Sequence, residues 1–129
     1  MNINKISGGK LLVSCLENLG ADTCFGVPGE SYLSTLDALF ESKIRLFTCR
    51  QEGAASFAAS AWGKLTGKPG LCFVTRGPGA TNAITGLATA YMDSIPLIVI
   101  SGQVQSHLIG TDSFQETDMI GISRPIVKH

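Results

Sequence analysis

Four short apolar runs, residues 23–27, 44–48, 71–75 and 97–101, recur about every 25 residues, and a stretch of helical periodicity separates each from the next. No other feature of the sequence constrains the fold as strongly. Strands separated by helices do not pair as hairpins. They join through right-handed crossovers into a parallel sheet with helices on both faces. Residues 97–100, Leu-Ile-Val-Ile, are apolar throughout, as a strand covered on both faces should be. The predicted fold class is α/β, doubly wound, with a mostly parallel sheet.

The helical stretches add detail. Leu11, Leu12, Cys15, Leu16 and Leu19 recur at helical spacing, and Gly20 stops the run. Ser31 is placed to cap a second helix with Tyr32, Leu33, Leu36, Leu39 and Phe40 on one face. Residues 53–66 predict a third, with Phe57, Ala58, Ala61, Trp62 and Leu65 in register, which makes Trp62 a core residue. The opposite face of that helix carries only Ala55, Ser56, Ala59, Ser60 and Gly63. Residues 80–92 predict a fourth helix, built of small and apolar residues nearly all round. Between Gly77 and Thr111 the one formally charged residue is Asp93. Helices without a polar face are expected to pack inside something larger. After Ser101 the periodicity fades, and residues 102–121 predict a long loop of the kind that carries function. Residues 122–129 show no terminal-helix pattern. The expected organisation is one domain over residues 1–129, cut from a longer protein.

Charge and cysteine usage exclude several classes. Ten basic residues balance ten acidic ones. A neutral chain presents no electrostatic footprint for nucleic acid or for an anionic membrane. No apolar run approaches the ~20 residues of a membrane span. Residues 1–5 lack the apolar core of a signal peptide, so the expected location is cytoplasmic. Cys15, Cys24, Cys49 and Cys72 each stand among apolar residues and form no C-x-x-C pair. They are expected to be buried small hydrophobes rather than metal or redox ligands.

In an open parallel sheet, ligands lie beyond the carboxyl ends of the strands. Four segments fall there: Val27-Pro28-Gly29-Glu30, Arg50-Gln51-Glu52-Gly53, the stretch from Thr75 to Asn82, and Ser101-Gly102-Gln103. Gly77-Pro78-Gly79 lets backbone approach a ligand closely and opens a helix whose N–H groups suit an anion. Asn82 in the sixth place departs from the dinucleotide fingerprint, and the same glycines would serve any tight strand-to-helix turn. Glu52 starts a helix, where a carboxylate complements the helix dipole. Followed by Gly53, Ala54 and Ala55, it also occupies a crowded apolar place in which a carboxylate can handle protons. A non-catalytic nucleotide-binding module is the alternative. It would want an acidic residue where the chain has Ser101-Gly102-Gln103.

Six segments occur in order: Phe25-Gly26-Val27-Pro28-Gly29, Arg50-Gln51-Glu52-Gly53-Ala54-Ala55, Gly77-Pro78-Gly79-Ala80-Thr81-Asn82, Asp93-Ser94-Ile95-Pro96, Ser101-Gly102-Gln103-Val104, and Ile109-Gly110-Thr111-Asp112-Ser113-Phe114-Gln115-Glu116. Over nearly the whole chain the series resembles the N-terminal pyrimidine-binding domain of thiamine-diphosphate-dependent enzymes, most closely the acetolactate synthase branch. The resemblance implies a flavodoxin-like sheet that binds the cofactor's aminopyrimidine in a 2-oxo-acid carboligase or decarboxylase. It implies that Glu52 is the catalytic glutamate, bonded to the ring nitrogen and promoting ylid formation, with Gln115 near the reacting carbon. Pro28, Thr75, Pro78 and Asn82 match positions lining the pyrimidine pocket; Phe114 and Pro96 match positions lining the substrate channel. Mg²⁺ and the diphosphate would be held by a second domain, with its Gly-Asp-Gly motif, on another subunit of a homodimer or homotetramer. FAD, carried by many acetolactate synthases, would lie on a middle domain. Four positions depart from the pattern: Gln51 for histidine, Arg76 for serine, Val27 for an aromatic residue and Glu30 for glycine. They leave cofactor binding intact and open the substrate to related types, namely pyruvate oxidase, benzoylformate decarboxylase, glyoxylate carboligase and sulfopyruvate decarboxylase.

Overall fold

The computed structural model describes residues 5–129; residues 1–4, which carry most of the segment compared with a signal peptide, lie outside the described residues. The elements are α1 (Gly8–Asn18), β1 (Thr23–Gly26), α2 (Leu33–Phe40), β2 (Arg45–Thr48), α3 (Glu52–Thr66), β3 (Gly70–Val74), α4 (Pro78–Asn82), α5 (Ile84–Met92), β4 (Leu97–Ser101) and α6 (Met119–Ser123). Short 3-10 turns occupy Glu30–Tyr32, Ser106–Leu108 and Arg124–Ile126.

The four strands pair in parallel in the order β2-β1-β3-β4. The central strand β3 is buried along its whole length and sends alternate residues to opposite faces. Leu71 and Phe73 join Val13, Leu16, Tyr32 and Leu39 beneath α1 and α2. Cys72 and Val74 join Ala55, Ala59, Ala80 and Ala83 beneath α3, α4 and α5. Helices therefore cover both faces, and the fold is the doubly wound α/β class. Strand order reverses between β1 and β3. The carboxyl ends of those two strands border the crevice in which such sheets bind ligands.

The sequence placed the strands well and several helix faces badly. Ser7 caps α1, its hydroxyl accepting from the Lys10 N–H at 3.1 Å. The buried face of α1 is Gly9, Val13 and Leu16, whereas Leu11, Leu19 and Cys15 are exposed. Gly9 explains the rotation, because a Cβ there would collide with the Ser34 carbonyl of α2. Ser31 does not cap α2; it sits one turn earlier and bonds across to the end of β3. Leu33 and Phe40 point outward.

In α3 the expectation is inverted. Its small face of Gly53, Ala55, Ser56, Ala59, Ser60 and Gly63 is buried, while Phe57 and Leu65 are exposed. Trp62 is half-buried, 6.3 Å from the Phe25 ring, and is not a core residue. Close approach is the cause. A Cβ on Gly70 would strike the Ala59 carbonyl, one on Gly63 the Pro96 carbonyl, and one on Gly86 the Ser56 side chain. The stripe of small residues is used inside this domain, against β3 and α5.

The helix expected over residues 80–92 breaks at Ala83, whose N–H bonds three residues back to Ala80 and tightens the ladder. Among the described residues β4 is the last strand of the sheet, with Ile98 42% exposed, and β3 is the strand covered along its whole length. Residues 102–118 are loop with one 3-10 turn; α6 takes up the end of the expected loop and reaches only Ser123 of the terminal stretch, which otherwise holds the 3-10 turn Arg124–Ile126. All four cysteines are free; Cys24 and Cys72 are buried, Cys49 half-buried and Cys15 exposed. Among the described residues no helix is long and apolar enough to cross a membrane.

Candidate functional site

Tyr32 builds the floor of the crevice. Its hydroxyl donates to the Val27 carbonyl at 2.5 Å and lies 3.5 Å from the Phe73 carbonyl, so one side chain ties the ends of β1 and β3. Burial pushes its phenol up to about 12, with Cys72, Cys24 and Glu52 adding to the effect, so it remains a neutral donor. The sequence marked Tyr32 only as an apolar position. The usable signal was a phenol in an otherwise aliphatic row, since a buried tyrosine hydroxyl seeks a partner.

The turns after β1 and β3 lock together. A Cβ on Gly29 would collide with Thr75, so this glycine lets the Pro28-Gly29 turn close over β3. Ser31 Oγ and Thr75 Oγ1 lie 2.8 Å apart, and Ser31 Oγ also accepts the Arg76 N–H at 3.0 Å. Gly77 then turns at φ +56, in the left-handed region, and a Cβ there would strike the Gln115 carbonyl. The turn thus requires glycine twice, for conformation and for contact.

Glu52 reaches the same edge from β2. Gln51 caps α3, its side-chain oxygen accepting from the Ala54 N–H at 3.0 Å, and Glu52 is the first residue of the helix. The Glu52 carboxylate is half-buried. One oxygen, Oε2, accepts from the Asn82 amide at 3.0 Å. The other, Oε1, faces Gly79, where an added Cβ would lie 3.4 Å from it and 2.8 Å from the Thr75 methyl. Glu52, Thr75, Gly79 and Asn82 therefore converge on one small space. A carboxylate with one oxygen held and the other facing that space can exchange a proton with a ring nitrogen. Gly79 lets Thr75 and Glu52 approach its backbone more closely than a side chain there would permit. Among the described residues, no three histidine, cysteine, aspartate or glutamate side chains gather as a metal site.

The loop that follows β4 returns to this edge. Glu116 organises it from within, accepting the N–H of Gly110 at 2.5 Å and of Ser113 at 3.3 Å. Gln115 takes φ +62 and lays its carbonyl on Gly77. Phe114 beside it is largely exposed. Arg76 grips this loop: Nε donates to the Phe114 carbonyl at 3.2 Å, and the guanidinium carbon stands 5.8 Å from the Phe114 ring centre. Arg76 Nη2 also donates to Glu30 at 2.6 Å. The sequence noted Glu30 and Arg76 separately, as two departures; their opposite charges at adjacent turns were the signal that they pair. Glu30, Ser31, Arg76, Gln103, Ser113 and Phe114 line a cavity of about 520 Å³.

Of the residues singled out from sequence, Glu52, Thr75, Pro78, Asn82 and Gln115 meet around the Gly77–Gly79 turn, with Phe114 next to them and Pro28 on the neighbouring turn. Pro96 does not join them. It precedes β4, its carbonyl accepts the Gly70 N–H at 3.0 Å, and it lies at the opposite end of the sheet. There it borders a larger groove of about 1100 Å³ between α5, β4 and the terminal segment. Glu52 lines neither cavity.

The chain is similar to known proteins over nearly its whole length. The chain is 55% identical over 125 residues to the acetolactate synthase large subunit of Buchnera aphidicola subsp. Schizaphis graminum, a match covering 96% of this chain and 22% of the relative. It is 53% identical to the acetolactate synthase isozyme 3 large subunit of Escherichia coli strain K12, over 96% of this chain and 22% of that one. It is 50% identical to the large subunit from Haemophilus influenzae, over 98% and 22%. The chain thus spans about a fifth of the length of these relatives. A family model described as the thiamine pyrophosphate enzyme, N-terminal TPP binding domain, matches residues 6–122. With that match over most of its length, the chain belongs to the thiamine pyrophosphate enzyme N-terminal domain family.

Proposed function

We propose that this chain binds the aminopyrimidine of thiamine diphosphate and that Glu52 activates it, within a 2-oxo-acid carboligase of the acetolactate synthase type. The observation that carries the reading is the convergence of Glu52, Thr75, Gly79 and Asn82 at the carboxyl edge of the sheet. Bound thiamine diphosphate would supply the electron sink for bond making and breaking beside the substrate carbonyl.

This chain's residues do the rest of what it contributes. Asn82 holds Glu52 Oε2, which orients the carboxylate and leaves Oε1 to hold or move a proton at the ring nitrogen. Buried Gly53 and Ala55 keep the base of α3 dry. Ser31 and Thr75 fix the turn that carries Pro78 and Gly79. Phe114 and Gln115 border the approach to the reacting carbon. As the family resemblance implies, Mg²⁺ and the diphosphate are assigned to a second domain of a partner copy in a homodimer or homotetramer. The proposed substrate is a 2-oxo acid and the proposed location is the cytoplasm.

Glu52→Gln in the full-length protein tests the reading. The variant keeps the Asn82 contact and the fold but loses the proton-handling oxygen. Proton–deuterium exchange at C2 of the bound cofactor is expected to slow by about 10²-fold or more, the scale of a lost acid–base group. An unchanged rate overturns the assignment.

A further inference from the structure

A guanidinium that is largely out of water needs its charge and donors matched. The Arg76 side chain is 12% exposed, and its three contacts come from two segments remote in sequence. The turn after β1 supplies the Glu30 carboxylate; the loop after β4 supplies the carbonyl and the ring face of Phe114. Glu30 is 70% exposed and, among the charged groups of the described residues, its carboxylate pairs with Arg76, so it serves to aim the guanidinium. What the guanidinium then holds is the residue next to Gln115, in a loop whose backbone is unusual there: Gln115 sits at φ +62, and its carbonyl rests on Gly77, the residue after Arg76. A serine at position 76 would reach none of these partners.

We propose that Arg76, aimed by Glu30, is a positioning residue: it holds Phe114 by carbonyl and ring, fixes Gln115 on Gly77, and so sets the wall of the 520 Å³ cavity through which the acceptor acid approaches. The pairing leaves that wall without net charge while making it rigid. The role in acceptor selection rests on the function proposed above; the latch itself does not.

The test uses the full-length protein with Arg76→Ala, Arg76→Lys and the double variant Glu30→Gly/Arg76→Ser. Amide hydrogen exchange over residues 108–116, followed by mass spectrometry, reads the latch directly. Steady-state kinetics with 2-oxo acids read its use. In Arg76→Ala, exchange over 108–116 is expected to rise about tenfold while β3 and α3 stay protected. The kcat for carboligation falls about 10- to 100-fold, the scale of a misplaced group, and the acceptor KM rises. C2 proton exchange persists, because Glu52 lies outside the pair. Arg76→Lys falls between, since it keeps the charge and loses the fork. Should Arg76→Ala precipitate, Glu30→Gln on the exposed side carries the same readouts with smaller shifts. Unchanged exchange over 108–116 overturns the latch. Faster exchange with unaltered kcat and KM overturns its positioning role. A wild-type protein without C2 proton exchange would remove the proposed function, and the amide exchange would still decide for or against the latch.

Discussion

Removing the Tyr32 hydroxyl leaves the Val27 carbonyl without its 2.5 Å donor at the point where β1 ends. Tyr32→Phe is therefore expected to cost about 1–3 kcal/mol, the scale of an unsatisfied buried group, although it adds apolar surface. Urea unfolding measures it; a variant as stable as the parent would mean that water replaces the bond. Tyr32 and the Glu30–Arg76 pair share the reason that sequence reading passed over them. Val27 is five residues from Tyr32, but the second contact, Phe73, is 41 residues away and Arg76 is 46 from Glu30, and no periodicity links residues at such spacing. Local pattern placed Glu52 and the stretch from Thr75 to Asn82 beyond strand ends, and the family resemblance singled out Thr75, Pro78 and Asn82 within it. Pro96, singled out by the resemblance alone, stands just before a strand, which places it at the far end of the sheet from the others.

At the scale of elements, apolar runs fixed the strands to within a residue or two, because burial of a strand is written in consecutive residues. Helix orientation was less legible. Hydropathy turns Phe57, Trp62 and Leu65 inward, yet α3 turns its small side in, because backbone distance to β3 and α5 decides the packing. Gly86→Ala separates the two effects. Alanine is favoured over glycine in a helix by about 1 kcal/mol. Its Cβ would meet Ser56, side chain and backbone, and overpacking typically costs about 1–3 kcal/mol. Net destabilisation is expected, seen as a lower denaturant midpoint; a stabilised variant would show that α5 can slide away from α3.

At the scale of the whole molecule, three buried groups tie stability to alkaline pH. Burial raises Cys24 and Cys72 from 9.0 to about 12 and Tyr32 from 10.0 to about 12. Each keeps its proton longer in the folded state than in the unfolded chain. Their contribution is full below about pH 9, where both states are protonated, and declines as pH rises towards 12. The urea midpoint in reducing buffer should hold steady from neutral pH to about 9 and then fall; a midpoint flat to pH 11 would contradict the burial of these groups. Binding by residues 1–129 alone is the second prediction at this scale. On the proposed function the chain holds only the cofactor's ring, and a small ring has few atoms with which to bind. Calorimetric titration with thiamine diphosphate and Mg²⁺ is expected to show no submicromolar affinity; metal-dependent binding at that level would place the diphosphate site within this chain. The class of the fold was visible in the alternation of strands and helices. The order β2-β1-β3-β4 is the one that the flavodoxin-like resemblance implies, although it does not follow from the order of elements along the chain.

Every glycine codon lies a single base change from an alanine codon, so mutation continually offers Gly63, Gly70 and Gly86 the one extra methyl that their seam has no room for. At these sites a lineage can drift in the third codon position and hardly anywhere else. At Leu65, 85% exposed on the same helix, most substitutions meet only solvent. Heredity would then treat the greasy side of α3 as the variable one and the side of least chemical character as the fixed one, so a catalogue of tolerated variants would trace the α3 seam by its silence.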